Sequence, residues 1–391
     1  MRRLLIVVCA IVLVDTAFFA AITPLLPRYT AEFGLTKAAA GVLAAAYPAG
    51  TLLAALPSGW LAGRLGVRFV LVGSLALIAA ASLAFAFAPS VGVLDAARFA
   101  QGLGGAGMWA AGLAWLVAAA PAEQRGQTLG TALGFAVAGA LLGPVLGGAA
   151  TVIGPELVFS AVAVVCGLLA VAVSTAGPPP APEHISFARL AGALRAPALL
   201  AGLWLMALPA AGSGVINVLA PLRLDALGVA GAVIGATWLV AAAAEALLSP
   251  AIGRYSDRRG RMAPLRMSLV AGAVAALILA VPSGAVAVVA IVVLASLAFG
   301  SFFAPAMAFV SDASESLGLA QTLAISLLNV AWAGGQMLGG GAGSSLAQAT
   351  SDSVPYAVLA LLCAGTFAAL GRTARAVIPA SRPAGARPPS G

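Results

Sequence analysis

The sequence predicts an all-α membrane protein with twelve transmembrane helices in two pseudo-symmetric six-helix bundles. Three observations predict this. Of the 391 residues, 62% are hydrophobic and 8% are charged, too apolar for a soluble domain whose surface water must solvate. A glycine-and-arginine segment occurs twice at an offset of 194: Gly59-Trp60-Leu61-Ala62-Gly63-Arg64-Leu65-Gly66-Val67-Arg68 and Gly253-Arg254-Tyr255-Ser256-Asp257-Arg258-Arg259-Gly260-Arg261. The same offset superimposes Pro27 on Pro221, Gly34 on Gly228 and Gly41 on Gly235. Finally, the basic residues gather in alternate loops.

Spanning a bilayer takes roughly 20 apolar residues per helix. Twelve such stretches fit, at about 4–24, 38–61, 69–88, 91–119, 128–150, 157–176, 198–220, 231–252, 265–281, 286–310, 319–343 and 355–370. The 46 glycines and 24 prolines suit membrane helices, where neighbouring helices re-satisfy freed backbone groups. Short alternating segments of the membrane β-barrel kind are not present in the sequence. The expected organisation is a first bundle over 1–176, a cytoplasmic linker over 177–197, a second bundle over 198–370 and a disordered tail over 371–391. The linker carries Pro178-Pro179-Pro180 and the single histidine, His184, read as solvated.

Sixteen of the 20 basic residues lie in alternate loops or at the termini, among them Arg2, Arg3, Arg64, Arg68, Arg254, Arg258, Arg259 and Arg261. The opposite loops hold only Arg28, Lys37 and Arg223. The positive-inside rule therefore predicts cytoplasmic termini and an even number of crossings. The net charge of +8 orients the chain rather than marking a nucleic-acid surface. Alanine abundance and the preference for Arg over Lys suggest a bacterial inner membrane. The apolar start is read as an uncleaved first span, because Asp15 interrupts it and no small-residue cleavage site follows. Cys9, Cys166 and Cys363 are scattered inside spans, so neither a disulfide framework nor a metal site is expected.

Three acids fall within spans: Asp15, Asp95 and Glu245. Charge at the bilayer centre costs several kcal/mol, so such residues are functional candidates. Asp15 lies eleven residues after Leu4, about 16 Å along the helix and near mid-membrane. Phe18, Phe19 and Ile22 share its face, an apolar wall beside an acid that suits a lipophilic cation. The alternative is a hydrogen-bonded acid fixing span 1 to a neighbour. Glu245 shares a face of span 8 with Trp238, Ala241, Ala242 and Ser249, as a candidate coupling or substrate acid. Asn217 in span 7, and Asn329 with Gln336 in span 11, are the other polar interior groups and complete the cavity candidates.

In span 4, Arg98, Gln101, Gly102 and Gly105 recur on one face. Arg98 must face protein or water, and Asp95, three residues away, is expected to neutralise it. In span 5, Gly139, Gly143 and Gly147 line one face for close contact with a neighbouring helix, and Pro144 can kink it there. Gly139 to Gly148 also resembles Ala331 to Gly340 in span 11, at an offset of 192.

These segments resemble the major facilitator superfamily. Gly253 to Arg261 is similar to the family's loops after spans 2 and 8, with Gly253, Asp257, Arg258 and Gly260 in place. Gly59, Arg64 and Gly66 keep the first copy, but Gly63 stands where an acid is usual and Val67 where a base is usual. In the family that acid helps latch the halves on the cytoplasmic side, which puts the first-half latch in doubt and leaves Asp257 in the second. Leu94 to Gly104 is similar to the family's span-4 motif, associated with proton coupling. Gly139 to Gly148, including Gly143, Pro144, Gly147 and Gly148, resembles the motif of its drug:proton antiporters. Span 1, with Asp15 and Pro24-Leu25-Leu26-Pro27, also resembles vesicular amine transporters. Those carry an acid in span 11 where this chain has Asn329, so amine specificity does not transfer.

The resemblance implies alternating access from both sides to a site between two like halves. The expectation is multidrug-type export of a small, lipophilic or cationic molecule. A proton gradient would drive it, with no cofactor, no nucleic-acid partner and a lipid-embedded monomer. A proton-coupled uptake symporter for a metabolite is the competing reading. Enzymatic classes find no support: Gly-x-Ser-x-Gly and His-Glu-x-x-His do not occur, and Lys37 has no phosphate-loop context.

Overall fold

The computed structural model describes residues 2–121, 124–177, 192–281, 284–319 and 321–377. Most of the 177–197 linker, with His184, and the tail beyond residue 377 lie outside them. Eleven helical passages are long and apolar enough to cross a membrane. In chain order they are α1 (Arg3–Phe33), α2 (Lys37–Leu65), α3 (Val67–Ala86), α4 (Val91–Ala119), α5 (Gln127–Ile153) and α6 (Pro155–Ser174). The second half supplies α7 (Pro197–Ala226), α8 (Gly231–Arg259), α9 (Met262–Leu279) and α10 (Ala285–Ser316). The helical run 321–349 follows as α11, and α12 (Ser353–Leu370) ends the series. With α11, a more polar run holding Asn329 and Gln336, twelve helices form the expected two six-helix bundles.

The helices outrun the predicted spans because glycine, not proline, ends them. α1 continues past Pro24 with Pro27 inside it and stops at Gly34, φ 62°. α7 carries Pro209 and Pro221 inside it, and Gly228 follows at φ 77°. Both ends close alike: Leu35 N–H donates to Thr30 O at 3.0 Å, and Val229 N–H donates to Leu224 O at 3.0 Å. Gly66 (φ 89°) and Gly260 (φ 81°) turn the chain after α2 and α8. A left-handed backbone costs glycine nothing and other residues about 1 kcal/mol or more, so the duplicated glycines set the duplicated turns.

Three passages are irregular. α1 is interrupted by a turn at Ala21, α10 by a turn at Ser301–Phe302, and α11 widens into a π-helical turn over Leu338–Ala342.

Each bundle has its own core. The first draws on residues between Leu4 and Val173, with Val218 added from α7. Its centre is aromatic: Phe18 meets Phe159 at 5.1 Å and Phe85 meets Phe159 at 4.8 Å between ring centroids. The second core runs from Leu205 to Cys363 around stacked Phe299 and Phe302.

Within each bundle, glycines bring helices to backbone contact. A Cβ at Gly139, Gly143 or Gly147 would strike the carbonyl oxygens of Leu13, Ala17 or Ala21 in α1. Gly335 and Gly339 of α11 rest in the same way on the carbonyls of Ala207 and Ala211 in α7. This corrects the alignment of the two motifs. Ala17 matches Ala211 at the offset of 194, so Gly143 matches Gly339 at 196, one helical turn from the 192 that the sequence likeness suggests. Sequence likeness aligned two glycine repeats of equal spacing, whereas the carbonyls beneath them select the register.

The two bundles meet at the end opposite the arginine-rich loops. Gly41 of α2 lies against Gly340 and Ser344 of α11, and Gly235 of α8 lies against Pro144 and Gly148 of α5. Lys37 pairs with Asp352 at 2.5 Å, and Ala38 N–H donates to Gln348 Oε1 at 2.9 Å. At the arginine-rich end each loop is tied to its own bundle. Arg68 donates to the carbonyls of Ala176 and Gly177. Arg64 lies over Trp60. Arg261 holds Asp257 and, at 3.1 Å, Asp312. The hydrogen bond to Asp257, with Asp312 adding to it, raises the Arg261 guanidinium above its ordinary value. Among the described residues no ion pair joins the bundles there, so Asp257 does not latch the halves in this state. Arg258 and much of α8 beyond Glu245 are exposed.

Candidate functional site

The middle of the first bundle holds a buried polar network. Asp15, 2% exposed, accepts hydrogen bonds from Tyr47 Oη at 2.7 Å and Trp109 Nε1 at 2.9 Å. Gly105 makes room for it, since a Cβ there would lie 2.8 Å from Asp15 Oδ1. Arg98, 1% exposed, donates to the carbonyls of Phe18 (3.4 Å) and Phe19 (3.3 Å) and to Gln101 Oε1 (3.2 Å). Those carbonyls stand just before the interruption of α1 at Ala21. The Arg98 guanidinium also lies 5.0 Å from the Tyr47 ring centroid. Tyr47 therefore links acid and base: its hydroxyl serves Asp15 while its ring face attracts the cation.

Two expectations are overturned here. Asp95 does not neutralise Arg98: the guanidinium turns toward α1, whose carbonyls accept from its two terminal nitrogens, and Asp95 Oδ1 is buried without a partner. Phe18 does not line a cavity either. It is 1% exposed in the aromatic core, because one residue turns the helix by about 100°. That step sends Phe18 into the bundle and Phe19 to the interface.

Phe19 packs between Tyr47 and Trp332, each at 5.0 Å between centroids. This is the contact between halves at mid-membrane. Next to it, Phe19, Thr23, Ala44, Asn217, Gln336 and Gly340 surround a slot of about 20 Å³. Such a slot holds about one water, far below the roughly 300 Å³ that a small-molecule pocket needs. At this slot the two halves leave no room for a small molecule. Asn217 Oδ1 accepts from Trp238 Nε1 at 2.8 Å, which fixes its amide at the slot. Asn329 lies seven residues before Gln336, on the same face of α11, half-buried on the arginine-rich side.

Glu245 stands at the midpoint of α8, half-buried. Its carboxylate rests on Gly300, the last residue before the interruption of α10. A Cβ at Gly300 would lie 2.6 and 2.7 Å from the two carboxylate oxygens. Among the described residues no hydrogen bond or ion pair reaches it. Tyr47, Trp109, Trp332 and Gly300 are the site residues that sequence reasoning missed. A signal existed for two of them. Trp109 follows Gly105 by one turn on the Arg98 face, and Trp332 falls between Asn329 and Gln336 at helical spacing.

A model of the Major Facilitator Superfamily matches residues 8–323, with a second match at 210–390. An MFS-type transporter, ppzB, of Metarhizium rileyi is 37% identical over 89 residues, 23% of this chain and 18% of the relative. Probable vesicular acetylcholine transporter-B of Danio rerio is 33% identical over 156 residues, 38% of this chain and 32% of the relative. Quinolone resistance protein NorA of Staphylococcus aureus is 30% identical over 128 residues, 32% of this chain and 33% of the relative. The matched stretch thus spans 18% to 33% of the length of these curated relatives. A bacterial homologue of the human lysosomal transporter Spinster, solved inward-facing and unoccupied, superposes with a TM-score of 0.75 at 14% identity. That match covers 95% of this chain and 96% of the homologue. A D-xylose-proton symporter superposes at 0.74 and 15% identity, covering 93% and 96%. The duplicated loops, the two bundles and the family match agree: the chain belongs to the Major Facilitator Superfamily, and it is a multi-pass membrane protein.

Proposed function

We propose that the protein is a proton-coupled antiporter that exports small lipophilic or cationic molecules by alternating access. The observation that supports this most is Glu245, an unpartnered carboxyl at mid-span. An acid there without counter-charge must hold a proton or a cation whenever water is excluded. Proton and substrate would then compete for one group. Asp15 differs, because two donors and the Tyr47 link to Arg98 already occupy it. Its role is to hold α1, α2 and α4 in register beneath Phe19.

In this reading the arginine-rich end faces the cytoplasm of a bacterial inner membrane, and the joined end faces outward. A cationic substrate enters from the inside, displaces the proton from Glu245 and is carried as the bundles rock about the Phe19–Trp332 contact. Protons returning down their gradient reset the cycle. No cofactor is needed, and one chain holds both halves of the site. Relatives named for quinolone resistance and for acetylcholine transport support a small organic substrate.

The test uses purified protein in liposomes with a pH-sensitive dye inside and an imposed proton gradient. Lipophilic cations, neutral drugs and sugars are added in turn. Substrate-driven proton release is expected with cations, retained in part by Asp15→Asn and lost in Glu245→Gln. Co-entry of protons with a sugar or other metabolite, and none with cations, would replace export by uptake symport.

A further inference from the structure

A second recess lies on the other side of the α2–α11 contact. Ala44 and Gly340 line the narrow slot at the interface; their neighbours Ala45 and Gly341 line this groove instead, with Asp95, Phe99, Met337 and Leu338. Its volume is about 560 Å³, in the range of a small-molecule site. It opens laterally between the bundles, at the end opposite the arginine-rich loops.

The chemistry of its wall is lopsided. Asp95 is its only charged residue, the others being aliphatic, aromatic, glycine or methionine. Asp95 Oδ1 is buried and no donor reaches it, since Arg98 has turned to the carbonyls of α1. Depth is graded too. Asp95 stands four residues into α4, about 6 Å along the helix, whereas Ala49 stands twelve residues into α2, about 18 Å along. A charged mouth thus leads to an apolar interior.

We infer that this groove binds a membrane-partitioned amphiphile with one positive charge, its head at Asp95 and its apolar body along Ala49, Phe99 and Met337. A zwitterionic lipid fits less well, because its phosphate would meet Asp95 with no cation in the groove to offset it. Of the cations at this end, Lys37 is paired with Asp352 and Arg28 with Glu32, and none lines the groove. The site extends the export reading, on which it rests for its purpose as a lateral way out on the outward side; binding itself is tested without transport.

Ala96 is exposed and lines the groove, and the three native cysteines are buried. Ala96→Cys in lipid nanodiscs therefore reports occupancy by its rate of reaction with a water-soluble thiol reagent. Dodecyltrimethylammonium is expected to slow that reaction, with half-protection shifted about tenfold upward by Asp95→Asn and kept by Asp95→Glu. Equal protection in Asp95→Asn, or by a neutral dodecyl amphiphile, would reduce the groove to a lipid contact. If Glu245→Gln transports normally while Asp95-dependent protection persists, the export mechanism fails and the groove site stands.

Discussion

The two bundles share a backbone plan and differ in how they hold charge. At the offset of 194, Thr51 of α2 corresponds to Glu245 of α8, and Tyr47 corresponds to Ala241. Thr51 donates to the carbonyls of Tyr47 and Gly102 at 3.2 Å each, a closed arrangement. Its counterpart Glu245 rests on Gly300 and has no hydrogen-bond or ion-pair partner among the described residues. Asp15 corresponds to Pro209, so the first bundle's caged acid has no twin in the second. Duplication preserved the turns and the glycine contacts that backbone packing demands. Side chains at mid-membrane diverged, giving one half the hydrogen-bonded Asp15 and the other Glu245, which has no hydrogen-bond or ion-pair partner among the described residues. Under the proposed function, that division suits one half to bracing and the other to exchange.

The largest effect expected of a direct assault on the shared plan is at the glycine contacts. Gly143→Leu forces a side chain against Ala17 and Ala20 of α1 and should cost about 3 kcal/mol. Gly339→Leu should cost as much in the second bundle, read by thermal unfolding in detergent or by loss of monodisperse protein. Gly148→Ala, facing open space, should stay within about 0.5 kcal/mol. Unequal losses from the two leucine variants would break the pseudo-symmetry of the contacts.

A smaller effect sharpens the contrast in charge. Trp109→Phe removes one donor from buried Asp15 and should destabilise the protein by about 2 kcal/mol. Trp238→Phe removes the donor to the neutral Asn217 amide and should cost about 1 kcal/mol. Chemical denaturation of both variants compares the two networks directly. Equal losses would mean that Asp15 is no more dependent on its cage than a neutral amide is.

The smallest effect concerns the contact between bundles. Lys37→Ala breaks an exposed ion pair worth about 0.5 kcal/mol, too little to register in unfolding. It should instead raise the population with separated ends, seen as a longer component in spin-label distances between α2 and α12. An unchanged distance distribution would mean that the Gly41–Ser344 packing alone holds that end shut.

Much of this was legible before any coordinates. Hydropathy marked the spans, the duplicated glycine-and-arginine segment marked the repeat, and the i+4 glycines of α5 announced a close helix neighbour. The buried acids were visible as exceptions to an apolar background. What escaped was partnership. Asp95 stands one turn from Arg98 in the chain, yet the guanidinium chose carbonyls eighty residues away. Phe18 and Phe19 are adjacent and about 100° apart on the helix, and only the position of α6 decides which joins the core.

The sequence by itself determined how many helices cross, which glycines the two halves share and that one half repeats the other. These are properties of neighbours along the chain: transfer free energies summed over a span, and a φ that only glycine adopts without cost. Tertiary structure alone decided that α5 rests on α1, that the second register runs at 196 and that Asp15 is caged while Glu245 is free. Each of those depends on which atoms of distant helices reach the same few ångströms. No local pattern carries that information, because hydrogen bonds and close contacts are settled by position in space.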